Sequence, residues 1–286
     1  MLIDSSYEGT EMELTIKSKV KLNNDVEIAV LGFGTLNMHG ETAQNAILWA
    51  FEAGYRHLDT AKAYGNEIDV GKAARKSDLS REEVFGTTKL WNDDHGYDEA
   101  LRAIDTSLKN LGLSYVDLYL IHWPVSGRRV ETWKAMEKIL KDGKARSIGV
   151  SNFTIRHLEE LLAEADVVPA VNQIEFTPYL YQKELQGYCE GKGIRIEAWS
   201  PLTRGKRLGD PKLVAIAKRY GKSSAQILIR WGLQRGAIVI PKSERRERII
   251  ENSQVFDFNI SDEDMRKLDG FDENLRTSGW DPDSFL

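Results

Sequence analysis

The sequence predicts an α/β fold: a closed (β/α)8 TIM barrel preceded by an N-terminal β-hairpin and carrying extra helices. Three observations lead there. Eight short β-rich runs alternate with stretches of helical apolar spacing, polar residues close seven of those runs, and 286 residues is an ordinary length for one such barrel.

The elements follow in chain order. Residues 1–18 read as a polar leader with Asp4, Glu8, Glu11 and Glu13, lacking the basic start and apolar core of a signal peptide. Residues 19–28 alternate on both sides of Asn23-Asn24-Asp25, which is turn chemistry between two short strands. The barrel strands are expected at 29–34, 55–59, 84–89, 117–122, 145–150, 170–173, 194–199 and 237–240. Between them, spacings such as Leu101, Ile104, Leu108 and Leu111 mark helices, and Gly54, Gly143 and Gly236 mark helix stops. Two helices, 211–220 and 224–234, separated by Gly221, fall between the seventh and eighth strands, so one exceeds strict alternation; another is expected at 262–268. No linker, low-complexity tract or strong repeat divides the chain, so residues 1–286 are expected to form one domain.

Composition excludes several classes. Hydrophobic residues at 41% and charged residues at 29% fit a globular protein, and no apolar run approaches the roughly 18 residues of a membrane span. A net charge of −5 argues against general nucleic-acid binding, while leaving room for a local basic patch. Cys189, the one cysteine, cannot form an internal disulfide and is expected to pack as a small hydrophobe. The five histidines are scattered and no metal site is expected. A cytoplasmic monomer without membrane or nucleic-acid partners is the resulting expectation.

In a barrel of this kind the active site lies at the C-terminal mouth of the strands. Strand two ends in Asp59, three in Lys89 and four in His122; five runs into Ser151 and Asn152, six into Gln173, seven into Ser200 and eight into Lys242. Singly, Asp59 could cap a helix, His122 could be a satisfied core residue and Lys89 a solvated strand end. Together they gather opposite charges and a titratable ring at one mouth, which is costly unless chemistry uses it. Tyr64 follows Asp59 in the loop opening over that mouth. A phenol is a poor acid at neutral pH unless a cation stabilises its phenolate. Lys89 can supply that charge, Asp59 can hold the lysine, and His122 can orient a carbonyl oxygen.

These residues sit in strings that resemble the aldo-keto reductase family: HLDTAKAYGNE, TTKLWNDD, LYLIHWP, GVSNF, VNQIEFTPYL, AWSPL and IPKSERRERIIEN, running from about Val20 to the C-terminus. Within the family the chain looks most like microbial 2,5-diketo-D-gluconate reductases and related aldehyde reductases. The resemblance implies NADPH as cofactor, Tyr64 as proton donor tuned by Lys89 and Asp59, and His122 positioning the carbonyl of a small dicarbonyl, aldehyde or keto-sugar. It further implies that Ser151, Asn152 and Gln173 hold the nicotinamide amide, that Trp199 stacks on its ring, and that Ser200 and Leu202 wrap the pyrophosphate. Gly34, Thr35 and Leu36 are assigned to the cofactor site as well. Lys242, Ser243 and Arg248 would surround the ribose phosphate, with Glu251 and Asn252 near the adenine. Trp91 and Trp123 would wall the substrate pocket, with Trp280 in a C-terminal lid, residues 271–286. Leu36 stands where many relatives carry an aromatic residue, which bears on substrate rather than reaction. No Rossmann fingerprint is present: Asn37 stands where the pattern that starts at Gly32 and Gly34 needs its last glycine. Two other readings stay open from residues alone: an NADPH-binding regulatory barrel, which the intact Tyr64, Lys89, Asp59 and His122 set disfavours, and a metal-assisted hydrolase or sugar-phosphate isomerase using His122 and Asp59.

Overall fold

A computed structural model describes residues 14–285; the expectations for 1–13 of the leader and for Leu286 lie outside them. The chain enters through an antiparallel hairpin, β1 (Lys19–Lys21) and β2 (Glu27–Ala29), with Lys19 opposite Ala29. Eight parallel strands follow: β3 (Phe33–Gly34), β4 (His57–Asp59), β5 (Phe85–Leu90), β6 (Val116–Ile121), β7 (Ala145–Ser151), β8 (Val171–Glu175), β9 (Arg195–Trp199) and β10 (Ile238–Val239), neighbours in space in that order. Leu31 bridges Val239 in parallel, and the Gly32 and Gly34 amides donate to the carbonyls of Val239 (2.9 Å) and Pro241 (3.0 Å), which closes the sheet into a barrel.

Among the described residues ten helices surround it: α1 (Gly40–Glu52), α2 (Glu67–Lys76), α3 (Tyr97–Leu111), α4 (Arg129–Lys141), α5 (Ile155–Leu162), α6 (Lys183–Gly191), α7 (Pro211–Arg219), α8 (Ser224–Gln234), α9 (Arg246–Ser253) and α10 (Asp262–Asp269). The extra helix before the last strand is α7, started by Pro211 and by the Asp210 carboxylate, which caps the Lys212 amide at 2.9 Å.

Strand periodicity of two sorts the residues between two cores. Leu58, Tyr119, Ile121, Ile148, Val150, Ile174, Ile196 and Val239 face outward and join the helices in one large apolar layer. The alternate positions face the barrel axis, where Phe85, Leu118, Leu120, Val171 and Ile238 fill the lower half. Leu22 and Ile28 of the hairpin plug the bottom of this inner core. Each such burial stabilises by about 1.5–3 kcal/mol, enough to hold a short ladder that is marginal alone. The turn is also tied across the base, Asn24 Nδ2 donating to the Arg146 carbonyl (2.9 Å) and Asn23 Nδ2 to that of Pro169 (3.1 Å).

All eight expected strands are present, with shifts of one to four residues at their ends. The largest correction is the first: 29–34 is not continuous, because Ala29 pairs with Lys19 in the hairpin and the barrel strand begins at Phe33. Gly32 lies at the break, and any Cβ there would collide with the His57 ring. Cys189 is fully buried in α6, where its sulfur accepts from Asn172 Nδ2 and burial pushes its thiol up to about 12. Among the described residues no helix is long and apolar enough to cross a membrane.

Candidate active site

The inward positions at the upper ends of the strands change from apolar to polar. Lys89 on β5 has no exposed surface, and its ammonium donates to Asp59 Oδ1 (2.7 Å), to the Thr60 carbonyl (2.9 Å) and to the Tyr64 hydroxyl (3.3 Å). Tyr64 is delivered by a single 3-10 turn, Lys62–Tyr64, that follows β4 and is ended by Gly65 in the left-handed region at φ 66°. That loop is cross-linked to its neighbour: Thr60 Oγ1 donates to Asn66 Oδ1 (2.7 Å), and Asn66 Nδ2 donates to the carbonyls of Thr35 (2.8 Å) and Met38 (2.9 Å). A ring set on a short loop is thereby held against a residue on a rigid strand.

Burial decides the electrostatics first. It pulls Lys89 down, yet the Asp59 carboxylate, together with Tyr64 and Glu197, more than offsets this, and the ammonium ends above its ordinary value and stays charged. Burial pushes the Tyr64 phenol above its ordinary value, and the Lys89 charge only partly draws it back. Desolvation outweighs the cation, and the hydroxyl is held firmly protonated. His122, stacked edge-on against Tyr64 (5.7 Å between ring centres) and Trp91 (5.2 Å), is pulled well below its ordinary value by burial and by Lys89. It is a neutral imidazole, able to donate one N–H without bringing a second cation beside Lys89.

Above this group opens a cleft of about 1060 Å³, exceeding the roughly 300–1,000 Å³ typical of a single small-ligand pocket. Asp59, Tyr64 and His122 reach its floor; Lys89 does not, and acts from beneath it. Along one wall lie Gly34, Thr35 and Leu36, then Ser151, Asn152 and Gln173. Asn152 sits in the left-handed region at φ 63°; its Oδ1 accepts from Trp199 Nε1 (2.9 Å) and its Nδ2 donates to the His122 carbonyl (2.9 Å), which fixes the indole as a flat panel of the cleft. Ser200 and Leu202 continue the wall, and Lys242, Ser243, Arg248, Glu251 and Asn252 line its far end. The Arg245-Arg246-Arg248 run splits, because residues two apart on a helix diverge: Arg246 pairs with Glu52 (2.9 Å) on the outside, while Arg248 lines the cleft without an ion pair among the described residues. A flat aromatic panel at one end and free cationic charge with a hydroxyl at the other fit an elongated, phosphate-bearing dinucleotide.

Trp91, Trp123 and Trp280 line the remaining side. The C-terminal segment crosses the mouth, with Trp123 packed against Trp280 (5.1 Å between ring centres) and stacked on Phe285 (5.5 Å). Two buried groups fasten it: Glu175 Oε1 accepts from the Thr277 amide (2.8 Å) and hydroxyl, and Arg129 Nη1 donates to the Phe285 carbonyl (2.7 Å).

Three residues escaped the sequence reading. Glu197 on β9 and His57 on β4 are fully buried one inward step below the floor, and Gln173 Nε2 donates both to Asp59 Oδ2 and to Glu197 Oε2 at 2.8 Å. Both lie two positions before an identified site residue, Trp199 and Asp59, so the period of two that places those would have found these. Arg204, on the cleft rim in the left-handed region at φ 50°, carries no such signal. Among the described residues no three of His, Cys, Asp and Glu gather as a metal cage.

Comparison with known proteins matches this geometry to a family. The model of the Aldo/keto reductase family matches residues 30–273. Glyoxal reductase of Bacillus subtilis is 49% identical over 276 residues, covering 96% of this chain and all of that protein. An aldo-keto reductase from a Medee basin deep-sea metagenome superposes with a TM-score of 0.88 at 45% identity, covering 90% of this chain and 96% of the other. The Bombyx mori aldo-keto reductase in complex with NADP gives 0.86 at 38% identity, covering 91% and 94%.

Proposed function

Because this chain belongs to the aldo/keto reductase family, we propose that it uses NADPH to reduce the carbonyl of small dicarbonyls, aldehydes or keto-sugars to an alcohol, with Tyr64 as proton donor. The observation that carries this reading is the Tyr64 hydroxyl, 3.3 Å from a buried, charged Lys89 at the floor of the cleft. The chemistry the cofactor supplies when bound is a hydride. The chain's own residues handle the oxygen. His122 donates a hydrogen bond that orients the carbonyl, and as negative charge grows on its oxygen Tyr64 passes over its proton. The resulting phenolate is met by the Lys89 ammonium, which Asp59 holds in place. A phenol raised by burial still protonates an alkoxide, a far stronger base.

NADPH consumption by the purified protein across glyoxal, methylglyoxal, aromatic aldehydes and keto-sugars tests the proposal. Dicarbonyls are the first to assay, a choice supported by the 49% identity to a protein named glyoxal reductase. A folded protein that binds NADPH and turns over none of these carbonyls would refute it.

Cofactor preference follows from the far end of the cleft. A charge-assisted hydrogen bond contributes about 1.5–3 kcal/mol, so Arg248→Ala is expected to weaken NADPH roughly tenfold or more and leave NADH nearly unchanged. Titration of both dinucleotides checks this, and equal losses would place Arg248 away from the ribose phosphate. The C-terminal segment is expected to govern which carbonyl fits. Truncation after Gly270 removes Thr277, Trp280 and Phe285, and should change the ratio of kcat/KM between glyoxal and a bulky aromatic aldehyde at constant NADPH affinity. An unchanged ratio in a folded protein removes the segment from the substrate site.

A further inference from the structure

Directly beneath Asp59 lies a buried polar group that the proposed chemistry leaves unused. Gln173 on β8 spends one amide nitrogen on two carboxylates, Asp59 and Glu197, at 2.8 Å each. Glu197 Oε1 has no hydrogen bond; its neighbour is His57 Nε2 at 3.5 Å, which is engaged with Thr87 Oγ1 at 3.0 Å. His57 Nδ1 is likewise unpartnered, against Gly32. The charged and titratable groups facing Glu197 are His57 and Asp59 from β4 and Lys89 from β5, while β8 and β10 present the uncharged Gln173 and Ile238 in register with it.

We propose that Glu197 is a positioning residue of the carbonyl-reducing site, standing protonated beneath Asp59 and setting, by holding or releasing that proton, the charge that Lys89 and Tyr64 feel. The inference rests on the reading of Tyr64 as proton donor. One cation serves two buried carboxylates that share an amide, and like charges so close do not both ionise. Asp59 takes the Lys89 ion pair at 2.7 Å, which leaves the proton to Glu197. Burial first, and the Asp59 charge second, raise Glu197 to about 8, whereas burial pulls His57 down to about 3, so the imidazole supplies no compensating cation. The Glu197 charge reaches Lys89, raising it further, so ionisation of Glu197 counters the pull of Lys89 on the Tyr64 proton and makes the phenol a weaker acid.

The test compares the pH profile of kcat/KM for carbonyl reduction in the wild type and in Glu197→Gln. The wild type is expected to lose activity with an inflection near the Glu197 value of about 8, roughly threefold or more across it, and the variant to lack that inflection. Gln173→Met removes the hydrogen bond that favours the Glu197 carboxylate, and should move the inflection to higher pH. A second readout needs no catalysis. A carboxyl raised in the folded state keeps its proton where the unfolded chain has released it, so folding stability declines as pH rises from the ordinary glutamate range to about 8. That decline should be shallower in Glu197→Gln. If Glu197→Gln does not fold, the direction of the shift in Gln173→Met decides. An inflection that persists in Glu197→Gln, or one that Gln173→Met leaves in place, overturns the proposal. Absence of any NADPH-dependent reduction by the wild type would instead refute the function proposed above, and the stability comparison would still report on the Glu197 proton.

Discussion

Tyr64→Phe is expected to lower carbonyl reduction by roughly a hundredfold to ten-thousandfold, the usual contribution of a positioned general acid, with NADPH affinity close to that of the wild type. The ring is retained, so its edge contact with His122 and its place over Lys89 persist. What disappears is the hydroxyl 3.3 Å from the ammonium, together with its proton. Because burial holds that phenol above its ordinary value, the proton is present throughout the neutral range, and the loss should be nearly independent of pH below the Glu197 inflection at about 8. Steady-state kinetics beside a fluorescence titration of NADPH separate the two quantities. Retention of more than about a tenth of the rate would assign the donor elsewhere.

Lys89→Met should be costly twice over. The substitution strands the Asp59 carboxylate, 2% exposed, beside a second buried acid with no cation. Breaking a buried pair by removing one partner costs about 3–5 kcal/mol, whereas removing both partners is far milder. Urea unfolding is therefore expected to show a large destabilisation in Lys89→Met, and Lys89→Met with Asp59→Asn should recover most of it. Activity should stay low in both, since neither supplies the charge that stabilises the Tyr64 phenolate. Recovery of reduction in the double variant would mean that Lys89 serves only to neutralise Asp59.

Much of the fold was legible because strand periodicity and strand-end chemistry point the same way. A residue such as Lys89 at the end of a β-rich run is conspicuous, and seven runs ending in polar residues make a mouth. What was harder to read lies where local pattern and tertiary demand part. The run 29–34 looks continuous, but Ala29 is claimed by the hairpin, and the stretch that meets β10 starts at Val30, whose carbonyl accepts from the Val239 amide. Arg246 and Arg248 are alike in sequence, and only helix phase sends one outward to Glu52 and the other into the cleft. The sequence puts Lys89 beside Tyr64, yet no sequence argument weighs a cation against desolvation, and burial leaves the phenol raised. Glu197 was visible in principle, two residues before Trp199, but attention to strand ends passes over the layer beneath them.

The closure of the barrel has a consequence in time. The segment from Leu31 to Gly34 is among the first parts of the barrel to leave the ribosome, and the carbonyls its amides require belong to Val239 and Pro241, close to the last. Seven strands can pair with their predecessors as they emerge, but the seam cannot form until the chain is nearly complete. Until then one strand edge at each end stands unpaired, and the inner apolar layer is reachable from the side. Such an intermediate is most exposed to pairing with another chain. A chain interrupted before β10 would therefore be more than inactive: it would be held at the stage most exposed to pairing with another chain.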